Sequence, residues 1–97
     1  MRYRYALGEV LREIRTENRQ TLRDVASRVP MALGYLSEIE RGSKELSSEI
    51  LDDLCVALRI PTYQIIQMTA YKMELNSEVV SAKMVVAEKP HLALNLK

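Results

Sequence analysis

The sequence predicts an all-α protein, and three observations predict it. Apolar residues recur three and four apart in successive stretches: Leu7, Val10, Leu11 and Ile14, then Leu22, Val25, Ala26 and Val29, then Leu51, Leu54, Cys55 and Leu58. That spacing gathers each set on one face of a helix. Residues that open, close or break helices fall between the sets, among them Asn18, Thr21, Pro30, Gly42, Ser47 and Pro61. Ninety-seven residues, 47% hydrophobic and 28% charged, suit one folded domain with a single modest core. The division expected is a five-helix domain over residues 1–66, with a C-terminal helical segment and tail over residues 67–97.

The chain opens on an alternation of arginine and tyrosine, Arg2 to Tyr5. A short solvated lead-in with tyrosines packed on the domain is expected, because chain termini are mobile. The first helix is marked by Leu7, Val10, Leu11 and Ile14, with Glu9, Glu13 and Glu17 on its wet side. Asn18-Arg19-Gln20 breaks it. The exit needs a left-handed residue, and asparagine tolerates that conformation better than arginine, so Asn18 is expected there.

Thr21 is a natural N-cap for the second helix, with Asp24 three residues on to complete a capping box. Pro30 bars Val29 from helical geometry, so this helix should stop early. The third helix runs roughly from Leu33 to Arg41, and Gly42 supplies its exit. Ser47 or Ser48 caps the fourth, whose Leu51, Leu54, Cys55 and Leu58 point inward, and Pro61 can open the fifth. A pause near Asn76-Ser77 gives a sixth helix, apolar over much of its circumference through Val79, Val80, Met84 and Val85. The residues from Pro90 onward form a tail.

The third helix differs from its neighbours. Its apolar residues thin to Leu36 and Ile39, which share one side at about 100° per residue. Gly34, Ser37, Glu38 and Arg41 fan across the opposite side, with Leu33 at its edge. A rigid rod anchored from behind thus carries small and polar groups outward, as a surface to be presented. Gly34 costs about 1 kcal/mol against alanine in helix propensity. Two causes are open: close approach of another molecule to the helix backbone, or a neighbouring helix that a side chain would strike.

The run Thr21-Leu-Arg-Asp24-Val-Ala, a turn, then Gly34-Tyr-Leu-Ser-Glu-Ile-Glu-Arg-Gly42 resembles the Cro/cI-type (XRE) helix-turn-helix family. The string LGYLSEIERG, with Lys44-Glu45 and Ser47-Ser48-Glu49 after it, is closer to the actinobacterial Clp-gene regulators, transcription factors that control Clp protease genes. The resemblance extends from about Leu7 to Ile66. It implies a lambda-repressor-like five-helix fold whose third helix lies in the DNA major groove. Thr21, Arg23, Tyr35 and Lys44, with the N-terminus of the second helix, would then hold phosphates. Leu33, Gly34, Ser37 and Glu38 would face base edges: Glu38 accepting from a cytosine amino group, Ser37 bonding either way, Leu33 touching a thymine methyl. Arg41 could serve base or phosphate, and the arginines of the opening arm could reach a phosphate or the minor groove. Arg15 and Glu40 match family positions that form a buried ion pair. Where the family often ends its first helix on glycine this chain has none, and Pro30 stands where the turn usually holds a glycine at positive φ.

Net charge is only +1, but it is unevenly distributed. Nine cations face six anions through Lys44, and five face seven afterwards, the sign a DNA-binding front half requires. The C-terminal segment, from about Tyr71 to Val86, suits a two-fold dimer interface anchored by Met73, Val79, Val80 and Met84 and rimmed by Lys72, Glu74, Glu78 and Lys83. The competing arrangement is a helix that folds back on its own domain.

A homodimeric regulator on double-stranded promoter DNA is one functional reading, with RNA polymerase a further candidate partner. An antitoxin-like interaction module on the same fold is the other. Cys55 is the lone cysteine and His91 the lone histidine, which leaves no thiolate metal cluster and no matched acid/base pair. No enzyme activity, cofactor or metal is expected. Neither a membrane span nor a secretion signal is legible, so a cytoplasmic, nucleoid-associated protein is expected.

Overall fold

The computed structural model describes residues 2–76. Five helices follow in order: α1 (Tyr3–Glu17), α2 (Leu22–Ala26), α3 (Leu33–Arg41), α4 (Ser48–Leu58) and α5 (Thr62–Leu75). α1 lies against both α3 and α5, α2 packs on α3 and α4, and α4 closes on α5. One core joins them, built from Leu7, Val10 and Leu11 of α1, Val25, Leu36 and Ile39, Leu51, Leu54, Cys55 and Leu58 of α4, and Ile65. The residues that share a helix face in the sequence build this core, with Ile14, Leu22 and Ala26 packed partly buried at its edge. Burial pushes the pKa of the Cys55 thiol up.

α1 starts earlier than the apolar spacing implies. Tyr3 and Tyr5 lie in its first turn, where the Arg2 carbonyl accepts from the amides of Tyr5 and Ala6, both at 3.1 Å. Tyr5 packs its ring over Gly42, at the exit of α3, so the Arg-Tyr alternation is part of the folded helix.

Three helices end in the same way. In α1, α3 and α4 the amide of the residue after the left-handed one reaches five positions back, from Gln20 to Arg15, Ser43 to Glu38 and Ile60 to Cys55. The amides of Arg19, Gly42 and Arg59 reach three back. These are Schellman closures, which need one residue at positive φ. Gly42 (φ 78°) supplies it once; Arg19 (φ 59°) and Arg59 (φ 63°) supply it in the other two. The expectation for Asn18 is therefore corrected: it stays right-handed at φ −77°. Its side-chain amide has other work, donating to the Leu58 carbonyl at 2.9 Å and to Gln20 Oε1 at 3.1 Å. Gln20 in turn donates to the Ala57 carbonyl at 3.2 Å. The end of α1 is thus tied to the end of α4.

The Thr21 capping box is complete. Thr21 Oγ1 accepts from the Asp24 amide at 3.0 Å, and Asp24 Oδ2 from the Thr21 amide at 2.8 Å. The Thr21 amide first, then its hydroxyl and the charge of Arg28, hold the Asp24 carboxyl below the usual carboxylate range. A carboxyl lowered in the folded state stabilises above its unfolded pKa and loses that contribution as pH falls through the lowered value, so the box is intact at neutral pH. α2 stops after five residues, as Pro30 demands. The chain then descends through turn bonds from Arg28 to Val25 and Val29 to Ala26, and closes a three-residue turn around Pro30, with the Met31 amide on the Val29 carbonyl at 2.8 Å.

Ser47 caps α4 by accepting from the Ile50 amide at 3.1 Å. Pro61 sits one residue before α5 rather than inside it, and Thr62 anchors the start by donating to Asp52 Oδ1 at 2.7 Å. α5 runs without a break across position 66 to Leu75. Its Ile65 and Thr69 are buried, and the Thr69 hydroxyl donates to the Ile65 carbonyl one turn back at 2.8 Å. Lys72, expected on the rim of the dimer interface, bridges to α1, at 2.9 Å from Glu13 and 3.4 Å from Glu9. The sixth helix, with Val79, Val80 and Met84, and the tail lie outside the described residues.

Where α1 crosses the end of α3, the two backbones nearly touch. A Cβ on Gly8 would stand 2.5 Å from the carbonyl oxygens of both Ile39 and Glu40. Further along, Arg15 grips Glu40 through two parallel bonds, Nε to Oε2 at 2.6 Å and Nη2 to Oε1 at 3.0 Å, while its Nη1 donates to the Gln20 carbonyl at 2.9 Å. The side chains retain only 12% and 7% of their exposure. Removing one partner strands the other, buried and charged. Arg15→Ala is therefore expected to lower stability by about 3–5 kcal/mol, read as a large drop in melting temperature; an unchanged melting temperature contradicts the assignment.

Candidate nucleic-acid interface

The polar surface of α3 exists because its opposite side is fixed. Leu36 and Ile39 are buried in the core, Glu40 is held by Arg15, and Gly42 is covered by Tyr5. Leu33, Gly34 and Arg41 are exposed, and Ser37 and Glu38 are half-buried. These five residues, placed on one face by spacing alone, form a continuous outward strip.

Within the strip, Arg41 Nη1 donates to Ser37 Oγ at 2.6 Å, one helical turn away. That bond occupies a lone pair of Ser37 and leaves its hydroxyl proton free to donate. Arg41 keeps its remaining N–H groups for an acceptor in front of the helix. Among the described residues, nothing bonds the Glu38 carboxylate. It offers two acceptor oxygens beside the donors of Ser37 and Arg41, so the face can meet a base edge of either hydrogen-bonding sense.

Gly34 settles one of the two causes left open. Nothing lies within 4 Å of the position its Cβ would take, so no neighbouring helix forbids a side chain there. The helix is smooth at this point for no reason inside the described residues.

The flanking residues occupy different settings. Thr21 and Arg23, at the start of α2, are exposed. The Thr21 hydroxyl accepts within the capping box and keeps its own proton, suited to a phosphate oxygen. Lys44 is exposed in the loop between α3 and α4. Tyr35 turns the other way: its ring packs half-buried against the core, and its hydroxyl donates to the Glu45 carbonyl at 3.0 Å. Arg15 and Glu40 lie behind the strip. Met73 is half-buried on α5, far along the chain from the strip.

Sequence spacing did not single out Gly8 or Ser43, and it marked Asn18 and Gln20 only as the end of α1. Ser43 donates both its amide, at 3.0 Å, and its hydroxyl, at 3.2 Å, to the Glu38 carbonyl. For Gly8 a signal was present: a glycine inside an otherwise regular apolar helix marks a close approach.

Comparison with known proteins places this geometry in context. A family model described as a helix-turn-helix domain matches residues 6–63. The transcriptional regulator ClgR of Mycobacterium tuberculosis is 52% identical over 58 residues, covering 60% of this chain and 52% of that protein. The chain thus matches about half the length of these curated relatives. Two crystal structures of the clp gene regulator ClgR from Corynebacterium glutamicum are similar in fold. One has a TM-score of 0.72 at 41% identity, covering 75% of this chain and 95% of that one. The other has a TM-score of 0.76 at 35% identity, covering 92% and 93%.

The open space at Gly34 yields a two-sided expectation. Gly34→Ala should stabilise the free protein by about 1 kcal/mol, the gain in helix propensity, in thermal or urea unfolding. The same substitution should weaken binding to DNA that approaches the helix backbone. A variant that gains stability and binds DNA as tightly as before contradicts the close-approach reading.

Proposed function

Because this chain belongs to the helix-turn-helix domain family of the Cro/cI type, we propose that it is a sequence-specific DNA-binding transcription regulator that acts as a homodimer on a pseudo-palindromic operator. One observation carries the reading: α3 presents Leu33, Gly34, Ser37, Glu38 and Arg41 outward on a helix clamped from behind through Leu36, Ile39 and Glu40. α3 enters the major groove. Glu38 accepts from a cytosine amino group, Ser37 donates to an acceptor, and Leu33 meets a thymine methyl. Thr21 and Arg23 hold the backbone on one side of the groove and Lys44 on the other. The target genes proposed are those of Clp proteases, on the likeness to the clp gene regulator of Corynebacterium glutamicum. Activation is the sense that the resemblance to actinobacterial Clp-gene regulators implies. Among the described residues, no helix is long and apolar enough to cross a membrane.

One recognition helix covers only a few base pairs, so useful specificity needs two, with half-sites about 34 Å apart. The proposed dimer surface begins at the C-terminal end of α5, with the exposed Tyr71 and Leu75 and the half-buried Met73, and continues into the segment that carries Val79, Val80 and Met84. The same exposed side supports a second reading, an antitoxin-like module whose C-terminal segment covers a protein partner. The two readings separate in one assay, since only the regulator shifts promoter DNA by itself with a salt-dependent affinity.

Two measurements test the roles. Glu38→Ala should relax base preference at one position per half-site, by about 1–3 kcal/mol in discrimination. Lys44→Ala should weaken binding to all sequences alike and reduce the salt slope by about one unit. The reverse outcome, with Lys44→Ala altering preference and Glu38→Ala not, would exchange the two roles. Truncation after Asn76 keeps every described helix and should sediment as a folded monomer at micromolar concentration; a dimer there places the interface elsewhere.

A further inference from the structure

Tyr35 has one hydroxyl proton, and the fold uses it. The proton goes to the Glu45 carbonyl at 3.0 Å, across the loop that joins α3 to α4, while the ring packs against the core. A phenol donates once, and a phosphate oxygen only accepts. With the Glu45 bond in place, Tyr35 has no proton to give to a DNA phosphate.

What the bond does hold is the carbonyl of Glu45, the residue after Lys44. On the other side of that lysine, Ser43 is fastened twice to the Glu38 carbonyl, by its amide at 3.0 Å and its hydroxyl at 3.2 Å. Gly42 before it is left-handed and lies under the Tyr5 ring. The Glu45 carboxylate is approached by Arg4 Nη1 at 3.8 Å, a weak exposed pair that adds little. Lys44 therefore sits between two residues whose backbone is pinned to α3, with its own side chain in solvent.

We propose that Tyr35 is a positioning residue: its hydroxyl fixes the loop so that the Lys44 ammonium is presented to a DNA phosphate in a set place relative to α3. The assignment rests on the DNA-binding reading above. A lysine on a loose loop must be ordered on binding, and an already ordered loop removes that cost from the association. The device also fixes the distance between the phosphate anchor and the base-reading strip, because both hang from the same helix.

Tyr35→Phe keeps the ring and removes only the hydroxyl. The test uses the tightest duplex that the wild-type chain recovers from a randomised pool. Affinity and its salt dependence are measured for wild type, Tyr35→Phe, Lys44→Ala and the double variant. Tyr35→Phe should weaken binding by about three- to tenfold, the worth of one hydrogen bond, with base preference unchanged and a shallower salt slope. In the Lys44→Ala background the same change should cost less than about twofold, since residues that act through one another are not additive. In the free protein, Tyr35→Phe should shift the amide signals of Ser43 to Leu46 and leave those of α1 and α5 in place. An equal loss in both backgrounds makes Tyr35 an independent DNA contact and overturns the proposal. So does an unchanged affinity, or a loop whose signals do not move. If the wild-type chain enriches no duplex at all, it is the regulator reading that fails.

Discussion

The structure depends on one crossing, that of α1 over the C-terminal end of α3. Gly8 lets the two backbones approach until its hydrogen faces the carbonyls of Ile39 and Glu40. Arg15 then seizes the Glu40 carboxylate with two bonds and uses a third to hold the Gln20 carbonyl. A charge pair this far from water is weak as a net source of stability but costly to break from one side. Its value lies in geometry. A bidentate arginine admits one relative orientation of the two groups, so the angle and register of α3 are set by a helix that is not part of the presented face. Gln20 and Asn18 carry the same constraint on to the end of α4.

Fixing α3 from behind frees its front from structural duty. Leu36 and Ile39 supply the packing, so Leu33, Gly34, Ser37, Glu38 and Arg41 can be chosen for what they offer to another molecule. The empty space around Gly34 shows how far that freedom goes, for here the helix forgoes propensity without any internal neighbour requiring it. The loop beyond Gly42 follows the same logic. Ser43 and Glu45 are tied back to α3 while Lys44 between them is left to solvent. Rigid backbone with unengaged side chains is what recognition of a stiff duplex requires.

Much of this was legible in the residues. The Thr21 and Asp24 box, the early stop imposed by Pro30 and the glycine exit at Gly42 each follow from local chemistry, and all three stand in the structure. The Arg15 and Glu40 pair could be expected only through family resemblance, because nothing local links residues twenty-five apart. The exit of α1 departs from its local preference for a physical reason. Asparagine tolerates the left-handed region better than arginine, but Asn18 is needed right-handed so that its amide can reach the Leu58 carbonyl. A tertiary bond outweighed a local preference, and Arg19 carries the strain instead. Tyr35 is similar: its place in the helical sequence could not tell whether the hydroxyl faces outward or folds back onto Glu45.

In the proposed function, the strip on α3 and the loop after it form the surface that meets a DNA duplex. The most direct test of that reading is to follow the backbone amide signals of the wild-type chain as a duplex selected from a randomised pool is added. Changes are expected at Thr21 and Arg23, at the outward positions of α3 from Leu33 to Arg41, and at Ser43 and Lys44. The exposed acidic side of α4, with Glu49, Asp52, Asp53 and Val56, should stay unchanged. Changes centred on that side of α4, with α3 silent, would contradict it.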